Sequence, residues 1–584
     1  MSRDISRRTL LTSSLGLLAA VNAITPPTVG RARAALLSDP RTFPSPELTS
    51  YVDQLTVPPV VRGDRTLAIG PSSHRFHRAL NPAPTWSYGG AEYFGPTIEA
   101  HSDEPLQLTF DNTLGRHLFA ADVDPTLEGA SEDTRVRPPV SVHLHGAVTS
   151  PDMDGHPEDV FLPGTSKTYR HENRQQAANL WYHDHGMGVT RLNVYAGLAG
   201  MYLLRDQFDT GDAANAWNLP SGEFEIPLIL ADRRFHDDGT LNYRTLATVP
   251  QGHWDGGQIG DRLTVNGTVS PYHHVARGLY RFRVLNASNF RGYNLFFSNR
   301  MPFWVIGNDG GLLDKPALTT SVRVTSGERT DLVVDFSGLR QGDHVDLTND
   351  QDEAALITLA TGAQVLRDVV RFIGTGARAH PARPPERLRG GAGQPQALPV
   401  PGPPTRTRVV TLTQDLKLNR WPPTGMSLNN LCFSDDPIAM PRQGTTELWE
   451  IVNSTIEVHP VHLHLVNMRL VNRQPFDVVG YTAANPRPAM GTAWTPSPDR
   501  FLTGPPQAPH PWESGAKDTV ACPENMVTRI LVRFPTADEL GFDPDAKFRS
   551  AHEMELQGYV WHCHILDHED DCMMARYRLP DIRD

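Results

Sequence analysis

Cysteine, histidine and methionine residues lie close together near the end of the chain. Cys563 is followed by His568 five residues later and by Met573 ten residues later. A thiolate, an imidazole and a thioether are the ligands that select a blue electron-transfer copper. A structural zinc site is the alternative, but it usually takes four ligands in paired Cys or His spacings, and the chain has no second cysteine pair to provide them. The spacing therefore predicts a copper site.

The histidines on either side of this cysteine indicate a second metal site. Successive side chains of a strand point to opposite faces, so His562 and His564 would both face away from Cys563. The chain contains four His-X-His pairs of identical spacing: His143, His145, His183, His185, His462, His464, His562 and His564. Eight imidazoles suit three clustered copper ions. His459, three residues before the third pair, then remains for the blue site.

Several segments resemble three-domain bacterial multicopper oxidases, in the group of spore-coat laccase, bilirubin oxidase and phenoxazinone synthase. They are Val142–Gly146, Leu180–His185, Arg191–Leu198, His459–His464 and Trp561–Met574. The resemblance implies four copper ions per chain. Type 1 copper would be bound by His459, Cys563, His568 and Met573, and type 2 copper by His143 and His462. The type 3 pair would be bound by His145, His183, His185, His464, His562 and His564.

This resemblance also implies an activity. It predicts a laccase-like oxidoreductase that takes single electrons from phenolic or bilirubin-like donors at the type 1 copper, through a solvent-facing edge of His568. Dioxygen would be reduced to two waters at the three-copper cluster. Glu569 and Asp154 are implied as the acidic groups along the dioxygen and water channels. The alternative is that Glu569 and Asp154 are only charged side chains exposed to solvent. This interpretation also suits Asp570 and Asp571.

Two other classes of function remain open. One is a copper-free structural protein on the same fold, but such chains lose ligands and none is lost here. The other is a metal-ion oxidase acting on Cu(I) or Mn(II), whose subgroup often carries methionine-rich insertions. This chain has 13 methionines and no cluster beyond Met573 and Met574. Small organic donors are therefore expected as partners, together with dioxygen.

Composition is consistent with a β-rich protein of several domains. The length of 584 residues suits about three domains, and 50 prolines and 47 glycines indicate many turns. A net charge of -12 argues against nucleic acid as a partner, because no basic face dominates. A mean hydropathy of -0.38 and the lack of a long apolar span after residue 24 argue against a membrane-embedded body.

An internal repeat predicts the architecture. Leu106–Asn112, Tyr280–Asn286 and Leu448–Asn453 each alternate apolar and polar residues and end in asparagine, as half-buried strands before turns do. Their spacing indicates three homologous β-sandwiches, and the resemblance makes these Greek-key cupredoxin domains. We therefore expect an all-β protein with domains at 35–210, 211–373 and 408–584.

The middle domain lacks histidine pairs where its neighbours have them. It is therefore expected to bind no copper and to act as a spacer, with the three-copper cluster between the first and third domains. Segment 374–407, rich in Pro, Gly and Arg, is predicted to be an extended surface linker. A second proline-rich insertion, 485–511, is a candidate border of the substrate pocket.

The N-terminus resembles a twin-arginine export signal. Arg7 and Arg8 precede a short apolar stretch, and Ala34 closes a small-X-small cleavage site, so residues 1–34 are predicted to be removed on export to the periplasm or the exterior. The alternative is a membrane anchor, for which the stretch is too short.

The cysteine count leaves the disulfide question open. The chain has four cysteines, of which Cys563 is assigned to copper and Cys572 lies beside Met573. Cys432 and Cys522 are then either a disulfide pair or two unpaired buried thiols.

Overall fold

The computed structural model describes residues 43–583 apart from 214, 216, 248, 255, 354–356, 359, 360, 379–382, 417–423 and 436–438. The predicted export signal, 1–34, lies outside the described residues. Strands dominate the structure and helices are few and short, so the all-β prediction is confirmed. Within the described ranges, none of the helices has the length and apolar character needed to cross a membrane.

The first β-sandwich runs from β1 to β9. Its elements are β1 (Val60–Arg62), β2 (Arg65–His74), β3 (Ala83–Tyr88), β4 (Thr97–His101), β5 (Leu106–Asn112), β6 (Val142–His145), β7 (Ser166–His171), β8 (Ala178–Asp184), α1 (Thr190–Ala196) and β9 (Ala199–Arg205). The strand orders are β1-β4-β9-β8-β6 in one sheet and β3-β2-β5-β7 in the other.

The second sandwich follows directly. Its strands are β10 (Glu225–Arg233), β11 (Arg262–Val265), β12 (Thr268–Val269), β13 (Tyr272–Arg277), β14 (Leu279–Asn286), β15 (Tyr293–Phe297), β16 (Phe303–Asn308), β17 (Gly311–Thr319), β18 (Val322–Val324), β19 (Arg329–Asp335), β20 (His344–Asn349) and β21 (Asp368–Arg378). The sheet orders are β12-β11-β10-β14-β19-β16-β17 and β13-β21-β20-β15-β18.

The third sandwich completes the chain. Its elements are β22 (Arg406–Leu416), β23 (Thr424–Leu428), β24 (Thr446–Asn453), β25 (His459–Leu463), β26 (Met468–Pro475), α2 (Val478–Ala484), β27 (Thr519–Cys522), β28 (Met526–Arg533), α3 (Ala537–Leu540), β29 (Lys547–Arg549), β30 (Glu555–Gln557), β31 (Tyr559–Cys563), α4 (Leu566–Glu569) and β32 (Met574–Tyr577). The main sheets have the orders β23-β22-β24-β28-β26 and β27-β25-β31-β32, and β29 pairs with β30.

The predicted repeat occupies the same place in each sandwich. The repeat strands β5, β14 and β24 each pair in parallel with the strand that opens the sheet, which is β2, β10 or β22. The closing asparagines, Asn112, Asn286 and Asn453, form the same turn. Each side-chain oxygen accepts from the main-chain nitrogen two residues on, at 2.9–3.1 Å, and each Nδ2 donates to two main-chain carbonyls. The asparagine therefore fixes the loop that leads toward the site residues.

Two of the three repeat strands differ from the predicted half-buried pattern: in β24 only Leu448 is even partly exposed, and β14 departs further. All residues of β14 are buried, including Arg281 and Arg283, whose alternation had indicated a solvent face. Both guanidinium groups pair with buried carboxylates: Arg281 with Asp209 at 2.7 Å and Arg283 with Glu225 at 2.6 Å. Burial is possible because the charges are paired.

The predicted surface linker is only partly on the surface. Strand β21 extends into it as far as Arg378. Leu388 is fully buried in an apolar cluster with Leu312 and Trp217, and Arg389 Nε donates to the Leu312 carbonyl at 2.7 Å. Part of segment 374–407 thus packs against the second sandwich.

The structure corrects the cysteine prediction. Cys432 forms a disulfide with Cys572, with Cα atoms 4.4 Å apart, and Cys522 is a free, buried thiol. The prediction of a disulfide between Cys432 and Cys522 was therefore wrong. The alternative, that both of these cysteines are unpaired, was also wrong. The reason is local: the Leu428 nitrogen donates to the Cys572 carbonyl at 3.3 Å, which brings the turn after β23 beside Cys572.

Candidate metal centre

Two antiparallel strand pairs present the paired histidines. In the first sandwich β6 pairs with β8 so that His143 lies opposite His183. In the third, β25 pairs with β31 so that His462 lies opposite His562. The second histidine of each pair lies two residues on and faces the same way. The two sandwiches therefore place four imidazoles each in equivalent positions.

These two sets of four face each other across the interface of the first and third sandwiches. The rings of His143 and His464 stack with centroids 3.8 Å apart, and those of His145 and His462 at 3.7 Å. The rings of His185 and His562 meet edge to face at 4.9 Å. None of the eight histidines is more than 1% exposed. The structure thus brings all eight sequence-predicted histidines into one buried cluster.

In most of these rings, one nitrogen is fixed by an oxygen and the other faces the cluster. The Nδ1 atoms that donate to oxygens 2.6–3.1 Å away belong to His143, His183, His462, His464 and His562. Six rings keep a buried nitrogen that has no hydrogen-bond partner among the described residues: His143, His145, His183, His185, His462 and His564. Such nitrogens are unfavourable unless something else binds them. A metal ligand is the function that suits five of them; the sixth, His185 Nδ1, faces the Glu569 carboxylate at 3.5 Å, and its Nε2 faces His562 in the cluster.

Burial also keeps these imidazoles in the form that can bind a metal. It lowers the pKa of every ring in the cluster, and for His185 and His562 the value falls to about 4. Neighbouring histidines lower the pKa of most of them further, since each would repel the charge of the next. The rings are therefore neutral at physiological pH, with a lone pair to offer.

A second, separate group lies on the other face of β31. His459 Nδ1 is 3.4 Å from the Cys563 sulfur, and His568 Nδ1 is 3.9 Å from it. The outer Nε2 of His459 is 2.7 Å from the Thr455 hydroxyl, which fixes the ring. Met573 is fully buried in the same core cluster as Cys563, and its carbonyl accepts from the Cys563 nitrogen at 2.9 Å.

The expected solvent-facing edge of His568 is not present in the structure. The ring is 0% exposed, and its Nε2 donates to the carbonyl of Gly256 at 3.2 Å. A loop of the second sandwich covers it. Trp254 Nε1 donates to the Asp567 carbonyl at 2.8 Å, and this bond fastens the loop beside His568.

The two predicted acidic residues lie at the histidine cluster. Glu569 is 1% exposed, and its carboxylate lies 3.1 Å from His562 Nδ1 and 3.5 Å from His185 Nδ1. Asp154 is 2% exposed and accepts from His464 Nδ1 at 2.7 Å. Burial raises the pKa of both carboxyls. The alternative of a solvated charge does not fit either residue.

A solvated charge also does not describe their neighbours. Asp570 is 1% exposed and accepts from the first two main-chain nitrogens of α1, those of Thr190 and Arg191, at 3.2 and 3.0 Å. Asp571 is 6% exposed and accepts from the Met426 nitrogen at 3.0 Å. Both carboxylates anchor main chain around the site. Their sequence position gave no sign of this, since the partners are more than a hundred residues away.

Sequence reasoning missed two acidic residues at these sites. Glu457 lies 3.8 Å from His568 Nε2 and is 3% exposed. Neither of its carboxyl oxygens has a hydrogen-bond partner in the part of the chain that the structure describes. Asp518 accepts from His145 Nε2 at 2.9 Å. Glu457 is two residues before His459 and Asp518 is remote in sequence, so no motif would have singled out either.

Comparisons with known proteins agree with this geometry. Models of the multicopper oxidase family match residues 134–209 and 401–581. A laccase of Bacillus subtilis is 34% identical over 91% of this chain and 99% of its own length. The chain belongs to the multicopper oxidase family. A multicopper oxidase of Arabidopsis thaliana, LPR1, is 34% identical, with 86% of each chain covered.

Solved structures share the fold. The McoA multicopper oxidase of Aquifex aeolicus superposes with a TM-score of 0.68 at 24% identity, covering 91% of this chain and 100% of its own. A laccase of Pediococcus acidilactici gives a TM-score of 0.67 at 23% identity, covering 92% and 96%. The three sandwiches therefore have the fold of multicopper oxidases, and the chain is a copper-dependent oxidoreductase that uses dioxygen, of the laccase group.

The residues present fit copper. Imidazole is a preferred copper ligand, and a thiolate with two imidazoles selects the blue electron-transfer form. The buried nitrogens without partners and the His459–Cys563–His568 group supply these donors in two separate places. Within the described residues, no group able to hold a metal includes a residue of the middle sandwich.

Proposed function

We propose that this oxidase takes electrons from small organic donors, phenolic or bilirubin-like, and that each chain binds four copper ions. Type 1 copper is held by His459, Cys563, His568 and Met573. Type 2 copper is held by His143 and His462. The type 3 pair is held by His145, His183, His185, His464, His562 and His564. The observation that carries this assignment is the set of buried imidazole nitrogens without partners beside a separate thiolate group.

Bound copper would supply single-electron acceptance from the donor and the four-electron reduction of dioxygen to water. The chain supplies the connection between the two places. Cys563 lies between His562 and His564 in sequence, so a covalent path of a few bonds joins the thiolate to two imidazoles of the cluster. The strand geometry of β31 makes this possible, because alternate side chains face opposite sides.

Glu569 and Asp154 would hold and deliver the protons that water formation requires. Each carboxyl is buried, lies against a histidine of the cluster, and has its pKa raised by burial. A carboxyl whose pKa is raised holds its proton to a higher pH than an exposed one does, and this favours the role of general acid. Glu569 serves the side of His185 and His562, and Asp154 serves the side of His464.

The organic donor would bind in a cavity of about 750 Å³ between the second and third sandwiches. Phe290 and Glu457 line this cavity, and both lie beside His568. Its other wall includes Gln507, Ala508 and His510, which end the proline-rich insertion at 485–511. A volume of this size suits a drug-sized organic molecule.

The decisive experiment is a panel of donors under air with the copper-loaded protein. Phenols, aminophenols, bilirubin, Mn(II) and Cu(I) are compared by oxygen consumption. Organic donors should be oxidised, with the rate saturating as the cavity fills. Oxidation of the metal ions alone would reject organic donors as the substrate class.

One observation favours Mn(II) as a second candidate donor. Carboxylate oxygens suit Mn(II), and Glu457 has two carboxyl oxygens beside His568, with neither hydrogen-bonded to a described residue. Burial raises the pKa of Glu457 to about 8, so Mn(II) would have to displace its proton near neutral pH. The variant Glu457→Gln separates the two candidates. It should lower Mn(II) oxidation much more than phenol oxidation, because only Mn(II) would need the carboxylate as a ligand. Loss of both activities would mean that Glu457 serves the site in another way.

We also propose that the protein is exported to the periplasm or the exterior by the twin-arginine route. Arg7, Arg8 and the apolar stretch that follows support this. The disulfide between Cys432 and Cys572 suits an oxidising compartment. Fractionation of cells expressing the full chain, compared with an Arg7→Lys/Arg8→Lys variant, tests the route. Equal export of both would exclude it.

A further inference from the structure

The carboxylate of Asp518 lies where residues of all three sandwiches meet beside the histidine cluster. Asp518 precedes β27, is 2% exposed, and accepts from both terminal nitrogens of Arg329, at 2.7 and 2.5 Å. Arg329 opens β19 of the middle sandwich, and its Nε donates to the carbonyl of Asn179 in the first, at 2.9 Å. A bidentate pair of this kind is strong and has a defined geometry.

The same residue holds two histidines of the cluster. His145 Nε2 donates to Asp518 Oδ1 at 2.9 Å, and its buried Nδ1 has no partner among the described residues. His462 shows the reverse arrangement: its Nδ1 donates to the Asp518 main-chain carbonyl at 2.9 Å, and its Nε2 is the atom without a partner. The hydrogen bond on one ring nitrogen determines which nitrogen keeps a lone pair. Asp518 therefore sets opposite tautomers in two stacked rings.

The residue after His145 is a glycine, and its lack of a side chain leaves room for the Arg329–Asp518 ion pair. Gly146 has a φ of +88°, which favours glycine. A Cβ at this position would meet Arg329 Nη2 and Asp518 Oδ2, each at 2.7 Å. Any other residue would push the guanidinium and the carboxylate apart. The sequence His145-Gly146 thus leaves the space that the pair needs.

We propose that Arg329 and Asp518 are positioning residues of the histidine cluster: the middle sandwich, through Arg329, fixes Asp518, whose carboxylate orients His145 and whose main-chain carbonyl orients His462. This inference rests on the proposed copper site. Both Asp518 oxygens accept from Arg329, and Oδ1 also accepts from Thr519 Oγ1 at 2.9 Å, so the carboxylate orients ligands rather than binding a metal itself. The middle sandwich is then more than a spacer, although it adds no histidine.

The test compares copper retention by the full chain and three variants. Each protein is loaded with copper, equilibrated with increasing chelator, and analysed for copper content and for the paramagnetic resonance of the cluster and of the blue site. Asp518→Asn removes the charge that orients His145. Arg329→Lys keeps the positive charge but cannot donate two parallel hydrogen bonds to the carboxylate. Both should release cluster copper at about 10- to 100-fold lower chelator concentration and change the cluster resonance, while the blue signal stays as in the wild type.

A third variant separates positioning from general stability. Glu447→Gln breaks another buried bidentate pair of the third sandwich, with Arg408 at 2.8 and 2.9 Å. This pair lies on β22 and β24, whereas the histidines of the third sandwich lie on and after β25 and β31. The variant should lose stability and keep its cluster copper. Equal copper loss in Glu447→Gln would overturn the inference, as would wild-type retention in both other variants. If Asp518→Asn does not fold, Arg329→Lys decides alone.

The same measurement distinguishes this inference from the proposed function. A wild-type chain that binds no copper cluster would reject the copper assignment itself. A wild-type cluster that both variants retain unchanged would reject only the positioning role.

Discussion

At the scale of single residues, Cys563 decides the copper assignment. Replacing Cys563 with Ser removes the thiolate near His459 and His568 but leaves the eight histidines of the buried cluster in place. The variant should lose the blue colour and donor oxidation, and its copper content should fall from about four to about three ions per chain. Absorbance and metal analysis measure both. A blue Cys563→Ser variant would show that the thiolate is not the ligand.

A second prediction concerns Glu569. Its carboxylate is buried 3.1 Å from His562 Nδ1, and an amide in its place cannot deliver a proton. Glu569→Gln should slow re-oxidation by dioxygen about 100-fold or more, while reduction by the donor stays unchanged. Stopped-flow absorbance follows each half-reaction separately, so donor reduction serves as the internal control. Unchanged re-oxidation would exclude Glu569 as a proton donor.

Much of the site could be predicted at this scale because the ligands follow a fixed spacing. Cys563 and the paired histidines lie on strands, where a period of two determines which side chains share a face. Glu457 and Asp518 could not be predicted, because their roles depend on contacts with His568 and His145 across long sequence distances. No periodicity encodes such contacts.

At the scale of elements, the disulfide joins the segment after β23 to the turn that precedes β32, next to Met573. Its two cysteines are 140 residues apart in sequence. Removing it by Cys432→Ser should lower the free energy of unfolding by about 2–5 kcal/mol, because the cross-link restricts the unfolded chain. Thermal unfolding of copper-free protein measures this change.

Reductant provides the control for that prediction. It should lower the unfolding temperature of the wild type toward that of Cys432→Ser and leave the variant unchanged. The same unfolding temperature in both proteins without reductant would mean that the bond adds no stability.

How well the alternation of apolar and polar residues predicted burial depended on what surrounds each strand. The alternation in β5 gave the correct half-buried pattern, with Leu106, Leu108 and Phe110 buried. The same alternation in β14 was misleading, because Arg281 and Arg283 face a buried group of carboxylates rather than solvent. Sequence periodicity gives the face of a residue, but what covers that face depends on the tertiary packing.

At the scale of the whole molecule, the first two sandwiches are joined by a buried group of charges. Arg205 ends β9 of the first sandwich, and Glu225 opens β10 of the second, 2.9 Å from it. Arg283 Nε lies 2.6 Å from the same carboxylate. Burial alone would raise the pKa of Glu225, but Arg205, Arg283 and Arg281 lower it from 4.5 to about 2.

This depressed pKa predicts how stability depends on pH. Because the folded state holds the Glu225 proton less tightly than the unfolded state, the pair adds stability above about pH 4.5, and this contribution is lost as the pH falls toward about 2. Glu225→Gln should therefore be less stable than the wild type by about 3–5 kcal/mol near neutral pH, since it leaves buried arginines short of a partner.

The difference between the two proteins should narrow as the pH falls below about 4.5. Denaturant unfolding at a series of pH values measures it. The exposed pair Glu132–Arg135, in which Glu132 is 73% exposed, gives the matched control: Glu132→Gln should change stability by less than about 1 kcal/mol at any pH. A Glu225→Gln difference that is constant with pH would mean that packing, rather than the ionised carboxylate, holds the first two sandwiches together.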